Sequence, residues 1–214
     1  MKKNKLEIGF GSGSLALFIL WTLIVNFIDV KPIGPNGSEV GLATINGFFH
    51  KLTGVHLDLY LITDWLGLIP VFTALAFAFL GLFQWIKRKK LLKVDFSILI
   101  LGLFYILTFV TYLLFEYVVV NYRPVLINGF LEASYPSSTT LLTLCVMPTS
   151  MLQLKSRIKN TTLKKCIEIL INVFTAFMVI GRLISGVHWI TDIFGGVLFS
   201  AGLVLIYNGV CKLK

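Results

Sequence analysis

An all-α integral membrane protein, with six transmembrane helices in a compact bundle, is the fold this sequence predicts on three observations. Of its 214 residues 57% are hydrophobic and 14% are charged. With a mean hydropathy of +0.87, that is more apolar surface than a soluble domain of this size can cover. The apolar residues gather into runs long enough to cross a bilayer as helices. The basic residues cluster between alternate runs, as they do in membrane proteins of fixed orientation. The length suits one domain, 1–214.

The expected spans are 9–29, 63–86, 94–120, 137–154, 166–186 and 188–210. The first is entered through GFGSGS (9–14), which no strand precedes, so it reads as a flexible entry and not as a dinucleotide loop. The run is too long for a signal peptide and lacks a small-x-small cleavage site after it, so it reads as an uncleaved span. In the following loop Ile45, Phe48, Phe49 and Leu52 recur at helical spacing, with Asn46, His50 and Lys51 on the other face. That pattern predicts a short interfacial helix. His50 and His56 read as solvated histidines, and Asp58 and Asp64 as solvated or capping groups beside the second span. The fourth span is the shortest and opens on the polar stretch YPSSTT (135–140). The fifth and sixth join through a tight Ser185-Gly186 turn. Cys145, Cys166 and Cys211 form neither a disulfide framework nor a metal spacing.

The net charge of +9 is a signal of topology and not of nucleic-acid binding. Fifteen of the 19 basic residues fall on one side of a six-span chain: Lys2, Lys3 and Lys5; Lys87 to Lys90 with Lys93; Lys155, Arg157, Lys159, Lys164 and Lys165; Lys212 and Lys214. The other side receives Lys31, Lys51, Arg123 and Arg182. The positive-inside rule therefore predicts cytoplasmic termini, with loops 30–62, 121–136 and 185–187 outside. Tyr60, Trp65, Tyr117, Tyr122, Tyr135 and Trp189 lie where an outer interfacial belt would form.

Polar residues gather on that outer side. Arg123-Pro124 follows the third span, YPSSTT opens the fourth, Arg182 ends the fifth, and His188 and Asp192 begin the sixth. Ionisable groups at such depth are costly and need a partner or a task. His188 and Asp192, four residues apart, would share a helix face. The carboxylate could then fix the imidazole tautomer and leave one ring nitrogen free as nucleophile or base. Arg123 and Arg182 are fork-shaped donors suited to phosphate oxygens. Pro136, Ser137 and Ser138 at a helix start offer backbone N–H groups and hydroxyls to an anion. Together they describe a phosphate-handling site; the plainer alternative is that they pair with one another to hold helices together.

Arg182-x5-His188-x3-Asp192 resembles the third signature, S-R-x5-H-x3-D, of the type 2 phosphatidic acid phosphatase superfamily. YPSSTT resembles its second signature, P-S-G-H, and NYRP the end of its first, K-x6-R-P. The order and the six-span layout agree with the small bacterial membrane branch, whose members dephosphorylate lipid phosphates and diphosphates. The resemblance implies that His188 attacks phosphorus to form a phosphohistidine and that Asp192 orients it. It implies that Arg123, Ser137 and Arg182, with Ser138 and Thr139 beside them, hold the phosphoryl oxygens. It implies no metal and no organic cofactor. The partner would be a phospholipid or polyprenyl (di)phosphate at the outer face of the plasma membrane.

Three positions depart from the pattern. Gly181 stands for the third-signature serine, Glu116 for the first-signature lysine and Thr139 for the second-signature histidine, the family's general acid. A threonine cannot deliver a proton as imidazolium does, and losing general acid catalysis costs about 10²–10⁴-fold. A diphosphate, with its better leaving group, suffers least, so undecaprenyl diphosphate is the expected substrate. Glu116, seven residues before Arg123, would share its helix face if the third span continued that far. It is either a replacement acid or the salt-bridge partner of Arg123 or Arg182. A phosphotransferase on the same scaffold and a weakened relative that only binds lipid phosphate are the competing readings.

Overall fold

The computed structural model describes residues 2–213. Among them the chain is all-helical: α1 (Lys2–Phe27), α2 (Ala43–Thr53), α3 (Leu57–Leu66), α4 (Leu68–Arg88), α5 (Phe96–Tyr117), α6 (Ser138–Arg157), α7 (Thr161–Ile184) and α8 (Ile190–Cys211). Five stretches are long and apolar enough to cross a membrane: α1, α3 with α4, α5, α7 and α8. This is a multi-pass membrane protein. The sixth long helix, α6, falls short of that apolarity and lies in the middle of the bundle, packed against α4, α5, α7 and α8.

The expected spans all correspond to helices, with shifted ends. The second starts earlier, as α3, and breaks at Gly67, whose N–H is shared by the carbonyls of Thr63 and Asp64. The third ends at Tyr117 and not at 120. GFGSGS is not a flexible entry but part of α1, and a Cβ on Gly11 would lie 2.7 Å from the Gly202 carbonyl oxygen. Small residues there let α1 and α8 come into backbone contact, the usual way for helices to associate in lipid.

α2 forms where expected, with its faces used otherwise. Its apolar residues Ile45, Phe48 and Leu52 point outward, while Asn46 is completely buried, donating to the Gly41 carbonyl at 2.7 Å and to Thr191 Oγ1 at 3.0 Å. His50 is half-buried with its ring 5.4 Å from that of Trp189, and burial lowers its pKa. Tyr135 and Trp189 are not a surface belt either, being 1% and 2% exposed. Tyr135 reaches Thr22 Oγ1 at 2.7 Å, because a buried phenol must find a polar partner.

The end of the bundle opposite His188 carries Arg88 and Arg157 around Asp95 and Lys212 against Glu7. At the near end, residues 118–137 and 185–189 pack over the helix termini. Gly186 takes φ +69° in the α7–α8 turn, and a Cβ there would meet the Gly54 carbonyl at 1.9 Å, so only glycine closes this turn.

Candidate active site

Arg123 is delivered by a hairpin that the spacing argument misses. Residues 121–134 fold back through Asn128 (φ 51°) and Gly129 (φ 83°), the Asn-Gly pair that a two-residue hairpin turn requires. Arg123 N–H donates to the Glu132 carbonyl at 3.0 Å and Ser134 N–H to that of Asn121 at 2.9 Å. Since α5 stops at Tyr117, Glu116 and Arg123 do not share a helix face. The ion pair at Arg123 Nε is instead with Glu132, at 3.0 Å.

His188 lies just before α8, whose N-cap is Trp189, so it meets Asp192 across the first turn and not along a helix face. Asp192 Oδ2 accepts from the Trp189 backbone N–H at 2.9 Å, capping the helix, and stands 3.6 Å from His188 Nδ1. His188 Nε2 lies 3.2 Å from Arg123 Nη1. A guanidinium only donates, so Nε2 is the acceptor and the ring proton is on Nδ1, on the Asp192 side. At 3.6 Å that pair is longer than a hydrogen bond, as catalytic contacts often are before substrate tightens them. Burial first, then the charges of Arg123 and Arg182, hold the imidazole well below the usual histidine range. The ring is therefore neutral, with a lone pair on Nε2.

Asp192 is fully buried and is held from several sides. Asn121 Nδ2 approaches its Oδ1 at 3.4 Å, and Asn121 Oδ1 accepts from the Gly41 N–H at 3.0 Å. Asn121 therefore ties the hairpin, the segment before α2 and α8 together around the carboxylate. It lies within the NYRP stretch, but the separation in sequence gives no hint of this role.

Arg182, at the end of α7, is 1% exposed. It reaches the Tyr60 carbonyl and Thr63 Oγ1, both at 3.4 Å, and Asp64 Oδ1 at 3.5 Å. The Tyr60 ring lies under both arginines, with Arg182 Cζ at 4.9 Å and Arg123 Cζ at 5.8 Å from its centroid. Asp64 is solvated as expected, its side chain 54% exposed, but it is also an ion-pair partner of Arg182. Gly181 has its reason here, because a Cβ would lie 2.8 Å from Thr63 Cγ2. Glycine lets α3 press its polar edge onto Arg182.

Ser137 is the N-cap of α6. Its N–H goes to the Asp192 carbonyl at 3.2 Å, and its buried Oγ has no hydrogen-bond partner. The N–H groups of Ser138, Thr139 and Thr140 precede any intrahelical acceptor and form the positive end of the α6 dipole. A cavity of about 270 Å³ brings together His188, Arg123, Glu116, Glu132, Ser134 and Ser138. A second cavity of about 1140 Å³ runs between α4, α5 and α6 with a mostly apolar wall and ends at Asp64, Ser138 and Thr139. Tyr112, Ser138 and Leu141 line both, so the two spaces adjoin. Among the described residues no group of three His, Cys, Asp or Glu could hold a metal ion.

Comparison with known proteins agrees with this geometry. Residues 114–211, which contain His188, Asp192, Arg123, Arg182 and the start of α6, match the model of the PAP2 superfamily. The fold is similar to that of a transmembrane PAP2-type phosphatidylglycerolphosphate phosphatase from Bacillus subtilis. The TM-score is 0.63 at 19% identity, over 95% of this chain and 97% of that one. No curated protein matches the chain.

Proposed function

We propose that this chain, whose residues 114–211 match the model of the PAP2 superfamily, is a member of that superfamily and a membrane lipid phosphatase working through a phosphohistidine. The observation that carries the reading is His188 Nε2, neutral and 3.2 Å from Arg123, beside an apolar groove that ends at the free N-terminus of α6. The lipid tail occupies the groove and the phosphate the smaller cavity. Its oxygens replace Nε2 as the acceptors of Arg123 and take donors from Arg182, Ser137 and the N–H groups of Ser138 and Thr139. These are groups that strengthen their hold as charge develops on the equatorial oxygens. Nε2 attacks phosphorus, Asp192 holds the proton on Nδ1, and water then releases phosphate. No cofactor enters this reading.

The substrate we favour is a lipid diphosphate, undecaprenyl diphosphate first, because Thr139 stands where an imidazole acid would serve a poorer leaving group. Its phosphate would be met at the extracytoplasmic face. The basic residues support that sidedness, since their clusters lie at the end of the bundle away from His188. Six spans then put both termini in the cytoplasm.

The test is phosphate release by the detergent-purified protein from undecaprenyl diphosphate, phosphatidylglycerophosphate and phosphatidic acid, with His188→Ala alongside. Release that the substitution abolishes is expected, fastest from the diphosphate. Equal release from the two proteins, or none from any lipid, would refute the reading.

A further inference from the structure

Breaking the lipid–phosphate bond leaves a basic oxygen on the lipid side, and that oxygen needs a proton. Its position follows from the two cavities. With phosphorus at His188 and the tail in the groove between α4, α5 and α6, the bridging oxygen lies where they adjoin. The chain has three histidines. His50 packs on Trp189, His56 bonds the Thr53 carbonyl at 2.9 Å, and His188 is the nucleophile. The groove is lined by one carboxyl group, Asp64, together with Ser138 and Thr139, and by the phenols of Tyr105 and Tyr112, which are weaker acids than a carboxyl.

We propose that the Asp64 carboxyl is the proton donor to the leaving oxygen, a catalytic role that rests on the phosphatase reading above. Three features of the fold aim it there. Asp64 lies one turn beyond Tyr60 on α3, and the break at Gly67 leaves it beside the α6 N-terminus. The Cβ position of Gly67 lies 2.9 Å from the Asp64 carbonyl oxygen and 3.4 Å from Thr139 Cγ2. Gly181 lets the Thr63 edge of α3 rest against α7. Arg182, one residue on, reaches Asp64 Oδ1 at 3.5 Å, so the guanidinium that receives the phosphate also positions the acid. Glu116 and Glu132 line the smaller cavity and not the groove.

The proton balance closes. A monoanionic phosphate brings one proton into the site, where it passes to an Asp64 oxygen. As the Nε2–P bond forms and the P–O bond to the lipid breaks, this proton moves to the leaving oxygen and Asp64 becomes a carboxylate. In the second half, water occupies the vacated position and Asp64 takes its proton. The water oxygen attacks phosphorus, the N–P bond breaks, and phosphate leaves as the monoanion, taking the proton back from Asp64, so that Asp64 is a carboxylate and Nε2 is free again.

Asp64→Asn tests this through leaving-group dependence. We expect turnover of phosphatidic acid to fall by about 10²-fold, that of undecaprenyl diphosphate less, and that of p-nitrophenyl phosphate least, since a nitrophenolate leaves without a proton. The p-nitrophenyl phosphate activity also reports that the variant is folded. Thr139→His added to Asp64→Asn should recover phosphatidic acid turnover by placing an imidazole beside the lost carboxyl. A loss of equal size on all three substrates would assign Asp64 to holding Arg182 and overturn the proposal. So would no loss, or the graded loss appearing in Glu116→Gln instead. These outcomes presuppose release by the unmodified protein; its absence would overturn the phosphatase reading itself.

Discussion

Helices α4 and α6 are almost equal in length, 21 and 20 residues, and opposite in their use of polarity. α4 is strongly apolar and has one buried residue, Pro70. α6 is the least apolar of the long helices and has nine, among them Thr140, Thr143, Thr149 and Ser150. In a lipid solvent apolar side chains gain nothing by being inside, so they cover the outside and leave the interior to groups that need protein partners. Two of the α6 hydroxyls are satisfied locally, Thr149 by the Cys145 carbonyl and Ser150 by that of Met147, each at 2.7 Å. Hydropathy marks what touches the tails. The helix that hydropathy passes over is the one whose N-terminus borders the candidate site.

The sharpest way to break this contrast is at the polar end. His188→Ala should reduce phosphate release by on the order of 10⁴-fold or more if the imidazole is the nucleophile; a residual rate near wild type would remove the interior from the chemistry. Next is Arg123→Lys, which keeps the charge and loses the fork. A loss of about 10²-fold in kcat/KM is expected from Michaelis curves in mixed micelles. For the packing itself, Leu141→Ala in α6 should cost about 2 kcal/mol, against about 0.5 kcal/mol or less for Phe79→Ala on the exposed side of α4. Thermal unfolding in detergent reads both, and equal shifts would contradict the inside-out arrangement. The smallest effect belongs to the groove. Ala74→Phe narrows it and should raise KM for long-chain substrates by about tenfold, an affinity loss near 1.4 kcal/mol. The accompanying measurement is the same KM for a short-chain phosphate, which should move less.

Much of this was legible in the sequence for stated reasons. Apolar runs mark the helices because lipid leaves no alternative to internally bonded backbone. His188, Asp192, Arg123, Arg182 and Ser137 could be picked out because an ionisable or polar group at such depth is expensive, and the structure gathers them at one end of the bundle. What failed was inference from helical geometry across a helix end. Glu116 and Arg123 were expected on one face, and the helix stops between them at Tyr117. His188 and Asp192 were expected on one face, and the helix begins between them. The Asn-Gly turn is readable in Ile127-Asn128-Gly129-Phe130, within the loop 121–136, as a two-residue hairpin turn. Tyr60, Asp64, Asn121 and Glu132 were not legible as site residues, since their roles depend on contacts between distant segments. Asn46 read as polar surface because α2 alone does not reveal which face meets α8.

The hairpin that carries Arg123 separates two properties that membrane helices tie together. A residue within a span cannot shift without a turn of helix moving against the bilayer, whereas residues 121–134 are anchored at Asn121 and Ser134 and free at Asn128-Gly129. The tip can be lengthened or exchanged while the Arg123–Glu132 rung keeps its register. It is therefore the natural attachment point for a spectroscopic label, and the part of the candidate site that can change in sequence without renegotiating the membrane.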